Sequence, residues 1–338
     1  MIFLDNMVRE GQLKFKELGW NGFLLEIPEE MRLTSEGGNI KSGYLKLEME
    51  GFLIEVRWDP FEAKKAKPLA EIANSFIKDV KKNLEKKSKK KIDLKVESMG
   101  NTLIASHNAY SMNIKSGAEK DLVYIWNCEN SKRIIVAHLV SLLPKEKSKE
   151  VITHILNSFR CHLDEELIPW VALNLRFRIP SSFLLSERRI AAGRTYLIFD
   201  EQKFSTFTER GRKLLIEYFS MANLIFEDSY KNPEKWFQEE YWKDLKKRLK
   251  NITFRATEAK RFMRHKAVYR HGVKNSGLLS RRKTVSENLT WYCSKTNRIY
   301  SITYVSYINR PLFLKRELNE EEDRKIMQNF LSSFKCHY

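Results

Sequence analysis

Cysteine and histidine are the residues of this 338-residue chain best suited to covalent or metal chemistry, and both types recur in its two halves. Cys128 and Cys161 lie in the first half, and Cys293 and Cys336 lie at matching positions in the second. This arrangement predicts one disulfide in each half, joining a strand to the end of the last helix. Disulfides are rare in cytosolic proteins outside hyperthermophiles, so two small buried thiols per half are the alternative.

A metal site is the third interpretation of the cysteines. Each half carries an adjacent Cys–His pair, Cys161–His162 in the first and Cys336–His337 in the second. Adjacent side chains point apart in regular structure, and the CxxC spacing that is typical of zinc sites is missing from the sequence. We therefore expect no metal site and no cofactor.

The histidines repeat as well, because His107 and His265 occupy equivalent places and His162 and His337 follow the duplicated cysteines. Repetition in both halves favours a structural role, since packing positions diverge less after duplication than active sites do. The sequence has no GxGxxG, GxxxxGK(S/T), HExxH or GxSxG motif, which mark common nucleotide-binding and hydrolytic sites. We predict no catalytic residues and no enzyme; an enzyme that uses a cleft between the halves is an alternative.

Positive charge is concentrated in the second half. The chain carries a net charge of +18, with 27 basic and 22 acidic residues up to His162 (+5) and 34 and 21 beyond it (+13). Such a surface attracts nucleic acid, anionic lipid or acidic protein without choosing among them. Abundant lysine and glutamate are also typical of hyperthermophile proteins, although that explains many ions better than it explains their imbalance.

Basic residues of the second half supply the candidate binding site. The segment Lys274–Lys283 has no counterpart in the first half and is predicted to be a flexible basic loop that contacts the partner. Aromatic residues alternate with cations near Arg261, a pattern typical of single-strand binders and equally of strands that fill a core. The predicted contacts to an anionic partner are Lys246, Lys247, Arg248, Lys250, Arg261, Arg264, Lys274, Arg281, Arg282 and Lys283.

The two halves are predicted to be tandem copies of one unit. The segment SFRCH at Ser158–His162 recurs as SFKCH at Ser333–His337. Matches in the same order join Phe23–Pro28 to Leu175–Pro180, Ile54 to Ile216, and Trp126 and Cys128 to Trp291 and Cys293. A period near 160 residues indicates two whole domains rather than a solenoid of short repeats.

Hydrophobic periodicity gives the order of elements within each copy. Alternating apolar residues predict strands at Phe23–Pro28 and along YLKLEM and FLIEVRW. Fourth-residue spacing predicts a helix in PLAEIANSFIKDVKKNLEKK and, in the second copy, at Pro233–Lys250. Four more strands and a short final helix complete the order βββαββββα; the last two strands of the first copy, LVYIWNCE and RIIVAHLVSLL, are predicted to form a hairpin around the polar turn ENSK. Short turns between neighbouring strands favour antiparallel pairing. The predicted fold class is α+β, two tandem copies of an antiparallel sheet flanked by helices.

This order, with the opening FLLEIP and the closing helix that ends in SF, resembles the Mog1/PsbP-like family. The resemblance covers both halves and rests on short apolar patterns. It implies a sheet sandwiched between helices, and it implies accessory or binding roles rather than catalysis, because members include a binder of a Ran-type GTPase and extrinsic photosystem subunits. No residue here matches a motif that would carry either of those roles.

The sequence thus predicts domains at 12–163 and 164–338, the second one more basic and with longer loops. The expected function is a non-catalytic binding or assembly protein whose second domain contacts an anionic partner, an acidic protein by preference and nucleic acid as the alternative. No apolar run approaches the ~18 residues needed to cross a bilayer, and the start MIFLDNMVREGQ has no cleavage-site pattern. A cytoplasmic location is expected.

Overall fold

The computed structural model describes residues 13–89, 91, 94–116, 119–228, 233–277, 280–315 and 317–337. Residue 12 and residue 338, the outer limits of the predicted domains, and Leu278 and Leu279 of the predicted basic loop lie outside the described residues. The chain divides into two compact units. Unit 1 comprises Met1–Asp164 and Pro169–Leu173, and unit 2 comprises Glu165–Ile168 and Asn174–Tyr338.

The described residues of unit 1 that precede residue 164 form nine strands and two α-helices. They are β1 Phe15–Trp20, β2 Phe23–Pro28, β3 Arg32–Gly38, β4 Gly43–Met49, β5 Phe52–Pro60, α1 Leu69–Ser88, β6 Lys95–Ile104, β7 His107–Ser116, β8 Glu119–Cys128, β9 Arg133–Ser141 and α2 Lys145–Ser158, with a 3-10 turn at Ala63–Lys65. Seven of the strands form one antiparallel sheet in the order β3-β4-β5-β9-β8-β7-β6. The predicted β8–β9 hairpin and the predicted α1 helix are confirmed.

Both faces of this sheet are covered, by different kinds of element. The apolar side of α1 packs on β7 and β8, where Ala73, Met112 and Val123 are buried together. On the opposite face, β2 and the end of α2 bring rings together, with Phe23 against Phe159. The β1–β2 hairpin therefore covers the face of the sheet on which a helix was predicted.

Unit 2 contributes longer strands and more, shorter helices. After β10 Leu167–Ala172, they are β11 Leu175–Pro180, β12 Leu184–Ile190, β13 Arg194–Ser205, β14 Thr208–Ser220, α3 Ala222–Asp228, α4 Pro233–Trp236, a π-helical turn Phe237–Tyr241, α5 Trp242–Arg248, β15 Ala256–Phe262, β16 His265–Ser276, β17 Ser280–Cys293, β18 Arg298–Pro311 and α6 Glu320–Ser333. Its seven-stranded sheet has the order β12-β13-β14-β18-β17-β16-β15. Element for element, this is the order seen in unit 1.

The helix predicted at Pro233–Lys250 begins at Pro233 but is interrupted by the π-helical turn. A π turn fits an extra residue into the helix and rotates the residues that follow it. Here it leaves Trp236, Phe237 and Tyr241 all buried against the sheet, in one cluster with Leu245. The interruption thus follows from the packing of three large rings that a regular helix would spread around its surface.

The predicted fold class of helix-flanked α+β copies is wrong. Over its described residues the structure is mostly β, with 54% strand and 22% helix in three antiparallel sheets of four, seven and seven strands. The antiparallel pairing itself is confirmed. Strands β1, β3, β10 and β12 were not predicted from the sequence. Exposed or polar residues hide the two-residue alternation in β3 and β12, whereas β1 and the apolar, proline-containing β10 have burial patterns that do not alternate.

A buried ion network ties α6 to the sheet of unit 2. Arg212 on β14 donates through Nη1 to Glu201 Oε2 (2.6 Å), through Nη2 to Glu322 Oε2 (2.7 Å) and through Nε to Asp323 Oδ1 (2.7 Å). Burial favours the neutral carboxyl of Glu201, but its hydrogen bonds to Arg212, Ser182 and Lys203, with the charge of Arg212, together outweigh that effect and lower the Glu201 pKa. The same arginine lowers the pKa of Glu322.

We predict that acid weakens unit 2 through this network. A carboxyl whose folded pKa is depressed stabilises the fold above its ordinary value of 4.5, and that stability is lost as pH falls through the folded pKa. Glu201→Gln should cost about 1.5–3 kcal/mol at pH 7 and flatten the loss between pH 5 and pH 3. Urea unfolding across that range measures both effects. The control is Glu321→Gln, an exposed position on α6. Equal pH dependence of the unfolding free energy in the two variants would contradict the prediction.

Candidate metal centres

Two cysteines and two histidines of unit 1 converge at one end of its large sheet. His107 begins β7, Cys128 ends β8, and Cys161 and His162 follow the last turn of α2. Their ligand atoms, the two sulfurs and one nitrogen of each imidazole, all lie within 4.8 Å of one another. Three separate chain segments therefore deliver four metal-ligating side chains to one point.

A strained turn places His107 in this group. β6 and β7 are joined by Ala105 (φ 51°) and Ser106 (φ 65°), both in the left-handed region that non-glycine residues seldom adopt. Consecutive positive φ values are the mark of a tight hairpin turn that usually contains glycine or asparagine. In unit 2, Met263 (φ 50°) and Arg264 (φ 68°) repeat the same turn directly before His265.

Distances within the first cluster are short. Cys161 Sγ lies 3.1 Å from His107 Nε2 and 3.6 Å from His162 Nδ1, and Cys128 Sγ lies 3.3 Å from His162 Nδ1. The backbone N–H of Ser131 donates to Cys128 Sγ at 3.4 Å. Each sulfur is thus directed at an imidazole nitrogen rather than at apolar side chains.

Unit 2 repeats the cluster with His265, Cys293, Cys336 and His337. Cys336 Sγ lies 3.5 Å from His265 Nε2 and 3.1 Å from His337 Nδ1, and Cys293 Sγ lies 3.4 Å from His337 Nδ1. The same nitrogen of each histidine faces the sulfurs in both units. We call the two groups the first and second Cys2His2 clusters.

These separations match the edges of a tetrahedron around Zn²⁺. Zinc–sulfur bonds of about 2.3 Å and zinc–nitrogen bonds of about 2.0–2.1 Å put sulfur and nitrogen ligands about 3.5 Å apart in tetrahedral geometry. Two sulfurs and two nitrogens are a donor set that zinc prefers. Both clusters therefore have the ligand types, number and spacing of a closed zinc site.

Burial makes the ligands costly to leave alone. All four cysteines are buried, and burial raises the pKa of Cys161 and of Cys336 to about 12, against a smaller lowering by the nearby indole of Trp126 or Trp291. Burial also lowers the pKa of His107, with a smaller contribution from His162. Burial therefore favours the neutral forms of Cys161, Cys336 and His107 unless a cation joins them.

A buried arginine beside the first cluster fits anionic sulfur. Arg133 lies opposite Cys128 in the β8–β9 pair, and its Nη1 is buried with no hydrogen-bond partner among the described residues. Burial lowers the Arg133 pKa to about 10, while Cys128 and Cys161 act to raise it. Arg298, opposite Cys293, repeats the position and the buried Nη1.

Two predictions about the cysteines are wrong. Neither the Cys128–Cys161 nor the Cys293–Cys336 disulfide is formed, since all four thiols are free. The expectation that adjacent Cys161 and His162 point apart also fails: the residues follow the helix end in irregular backbone, where strand alternation does not apply. A scan for CxxC could not find these clusters, because Cys128 and Cys161 meet only through the fold.

The predicted anionic-partner residues fall into three separate groups. Lys246, Lys247, Arg248 and Lys250 lie at the end of α5; Arg261 and Arg264 lie on β15 and the turn after it; and Lys274, Arg281, Arg282 and Lys283 lie on β16 and β17. Lys274 lies ten positions after Arg264, and β16 joins them, so they are about 33 Å apart along the strand. They are therefore at opposite ends of the sheet and cannot form one small site.

Arg248 is a structural residue. Its Nη2 donates to Glu217 Oε2 and to Asp244 Oδ2, both at 2.9 Å. Glu217 is fully buried and also accepts from Arg194 and from the Tyr241 hydroxyl, each at 2.6 Å. Arg248 thus neutralises a buried carboxylate, and its side chain is only 12% exposed.

The predicted flexible loop is largely strand. Lys274 belongs to β16 and Arg281–Lys283 belong to β17. A surface cavity of about 530 Å³ is lined by Arg281, Arg282 and Lys283. Arg310, which was not predicted as a contact residue, lines it as well. No local motif marks Arg310; it reaches the cavity because β18 pairs it with Arg281.

No protein-family model and no curated protein matches the chain. Among solved structures, it is similar to cyanobacterial PsbP (CyanoP) from Synechocystis sp. PCC 6803, with 10% identity and a TM-score of 0.35 over 46% of this chain and 98% of that one. It is also similar to the apo immunity protein TplEi of T6SS from Pseudomonas aeruginosa, with 11% identity and a TM-score of 0.27 over 97% and 98%. Similarities at this level carry no argument about function.

We predict that Arg248 and Lys247, neighbours on α5, respond differently to substitution. Arg248→Ala leaves the buried Glu217 with one cation fewer and should lower the free energy of unfolding by ~3 kcal/mol. Lys247→Ala removes an exposed charge and should change it by less than about 0.5 kcal/mol. Urea unfolding measures both, and equal effects would contradict the structural role of Arg248.

Proposed function

We propose that this chain is a non-catalytic, metal-stabilised tandem binding protein in which each unit holds one Zn²⁺ in its Cys2His2 cluster. The observation that carries the proposal is the repetition of the same four-ligand geometry in both units. A chance meeting of two thiols and two imidazoles in one unit is conceivable. The same meeting in both, through the same nitrogens and behind the same strained turn, indicates a site.

Charge supports zinc over an empty polar pocket. Two thiolates and two neutral imidazoles around a divalent cation make a complex of zero net charge, which can be buried at low cost. Without the cation, four buried thiols and four partly buried imidazoles are left to bond mainly with one another. A metal therefore accounts for both the burial of these groups and their mutual orientation.

A closed site of this kind is structural. All four positions of a tetrahedral ion are taken by protein ligands, whereas catalytic zinc keeps one position open for water or substrate. In unit 1 the ion would join the start of β7, the end of β8 and the segment after α2. This supports a scaffold rather than an enzyme, in line with the predicted non-catalytic role.

The scaffold proposed here presents its second unit to an anionic partner. Unit 2 carries most of the net positive charge, and exposed lysines remain at the end of α5 after Arg248 is assigned to the core. The cavity lined by Arg281, Arg282 and Lys283 adds a second group of cations. Long-range attraction to an anion by such a surface weakens with salt.

We predict two zinc ions per chain. Native mass spectrometry of protein purified without chelator, with metal analysis of the same sample, should find two; Cys336→Ser should retain one, and Cys161→Ser with Cys336→Ser should retain none. Each single variant has the intact cluster of the other unit as its internal control. Chelation should lower the free energy of unfolding by ~3 kcal/mol or more, because binding of a structural metal contributes directly to folding.

Substoichiometric metal in protein refolded with excess zinc, together with four thiols that react rapidly under native conditions, would contradict the proposal. Retention of two ions by the double variant would contradict the assignment of the ligands. Loss of both ions in Cys336→Ser alone would show that the clusters do not act independently.

A further inference from the structure

One end of the unit 2 sheet carries an exposed apolar patch. Phe204, Phe207, Leu312 and Phe313 are 72%, 60%, 50% and 77% exposed. We call these four residues the phenylalanine patch. Large apolar side chains gathered at one exposed place mark interaction sites more often than singly scattered ones do.

The fold brings the patch together from two turns. Phe204 and Phe207 lie at the β13–β14 turn, where Ser205 pairs with Thr208. β14 is paired with β18, so the turn lies beside the end of β18, and the rings of Phe207 and Phe313 meet edge to face with centroids 6.3 Å apart. The patch is therefore a defined surface of unit 2 rather than two unrelated loops.

The cation-lined cavity lies at the same end of the sheet. Arg281 pairs with Arg310 at the ends of β17 and β18, two residues before Leu312. Arg310 donates to Glu317 at 2.6 Å, and Lys283 donates to Glu320 at 2.9 Å. Among the described residues that line the cavity, four are cations and one, Glu317, is acidic.

The arginines of the cavity differ in how far they are available to a ligand. Both Nη atoms of Arg310 donate within the protein, to the Leu314 carbonyl and to Glu317, each at 2.6 Å. The Arg282 guanidinium lies over the Tyr307 ring, 3.8 Å from its centroid, and Arg281 is exposed. A cavity with an excess of positive charge and an exposed arginine suits a phosphate group, which arginine can bind in a bidentate manner.

The equivalent end of unit 1, over its described residues, is shorter. Its strands β4 and β5 contain 7 and 9 residues, whereas the equivalent β13 and β14 contain 12 and 13. The β4–β5 turn carries Glu50 and Gly51 in place of phenylalanine. The added length of the unit 2 strands thus ends in the patch and the cavity, which makes this end a specialised surface.

We propose that this end of unit 2 docks on an anionic phospholipid bilayer, with the phenylalanine patch in the interfacial region and the arginine-lined cavity on a headgroup phosphate. The inference rests on the proposed anionic-partner function and names the partner. A bilayer offers an apolar layer directly beneath a layer of phosphates. Peripheral binding combines those two contributions, buried apolar area and attraction to anionic lipid.

Other anionic partners fit the surface less well. Single-stranded nucleic acid stacks its bases on aromatic rings that lie among phosphate-binding cations, but Phe207 and Phe313 stand at turns and pack on each other instead. An acidic protein would satisfy the cations and leave four exposed apolar side chains without a matching surface. The combination of patch and cavity therefore favours lipid.

Vesicle sedimentation with the full-length, zinc-loaded protein tests the inference. The wild-type protein should bind vesicles of phosphatidylcholine that contain about 30% phosphatidylglycerol. Its affinity for vesicles of pure phosphatidylcholine should be at least about tenfold lower. Phe207→Ser with Phe313→Ser should weaken binding to the anionic vesicles by at least about tenfold, and Arg281→Glu by about fivefold or more. Leu103→Ser and Lys149→Glu, exposed positions of unit 1, are the matched controls and should bind as wild type.

The inference is wrong if the wild-type protein does not bind anionic vesicles. It is also wrong if the Phe207→Ser, Phe313→Ser double variant binds them as tightly as Leu103→Ser does. Saturable binding of inorganic phosphate without vesicle binding would assign the cavity to a free phosphate. Binding of polyglutamate or an oligonucleotide without vesicle binding would leave the anionic-partner function standing and remove the lipid; metal content and thermal midpoint, measured on every variant, separate loss of folding from loss of binding.

Discussion

The constraint on which the rest of this structure depends is the desolvation of two thiols and two imidazoles at one end of each large sheet. These groups are hydrogen-bonding and ionisable, and in a folded protein they are stable in such a place only when they satisfy one another or share a cation. In unit 1 they arrive from the start of β7, the end of β8 and the segment after α2. The pairing register of β7 with β8 and the residue at which α2 ends therefore both determine whether the four side chains meet.

The two ends of the unit 2 sheet differ in structure. The Cys2His2 end keeps the geometry of unit 1, including the turn with two positive φ residues and the arginine that lies opposite Cys293, as Arg133 lies opposite Cys128 in unit 1. The other end has longer strands and carries the exposed phenylalanines and the cation-lined cavity. Conservation of one end and elaboration of the other is how a duplicated scaffold can retain stability while one copy acquires a binding surface.

Local sequence patterns predicted the parts of this structure that depend on near neighbours. The β8–β9 hairpin follows from alternation around a short polar turn, and α1 follows from its apolar stripe. Repetition also paired the right cysteines and histidines between the halves. The tandem duplication stays a prediction, and the common strand order and the paired clusters support it.

What the sequence could not show depends on pairing between distant strands. His107 and Cys161 are 54 residues apart and meet only because β7, β8 and β9 are adjacent in the sheet. Strand register also corrects the sequence match of Ile54 with Ile216. Ile135 and Tyr300 are equivalent, because they lie 165 residues apart, as Cys128 and Cys293 do. Trp58 pairs with Ile135 and Tyr218 pairs with Tyr300, so Trp58 and Tyr218 are equivalent. The offset between these strands is therefore 160 rather than 162. Buried Glu217 corresponds to exposed Arg57, so the charge at that position differs between the two copies.

The most direct test of the central claim is X-ray absorption at the zinc edge of the purified protein. The account predicts an average first shell of two sulfurs at about 2.3 Å and two imidazole nitrogens at about 2.0–2.1 Å, the same for both ions. A shell made only of oxygen and nitrogen, a shell of four sulfurs, or an open coordination position filled by water would contradict it.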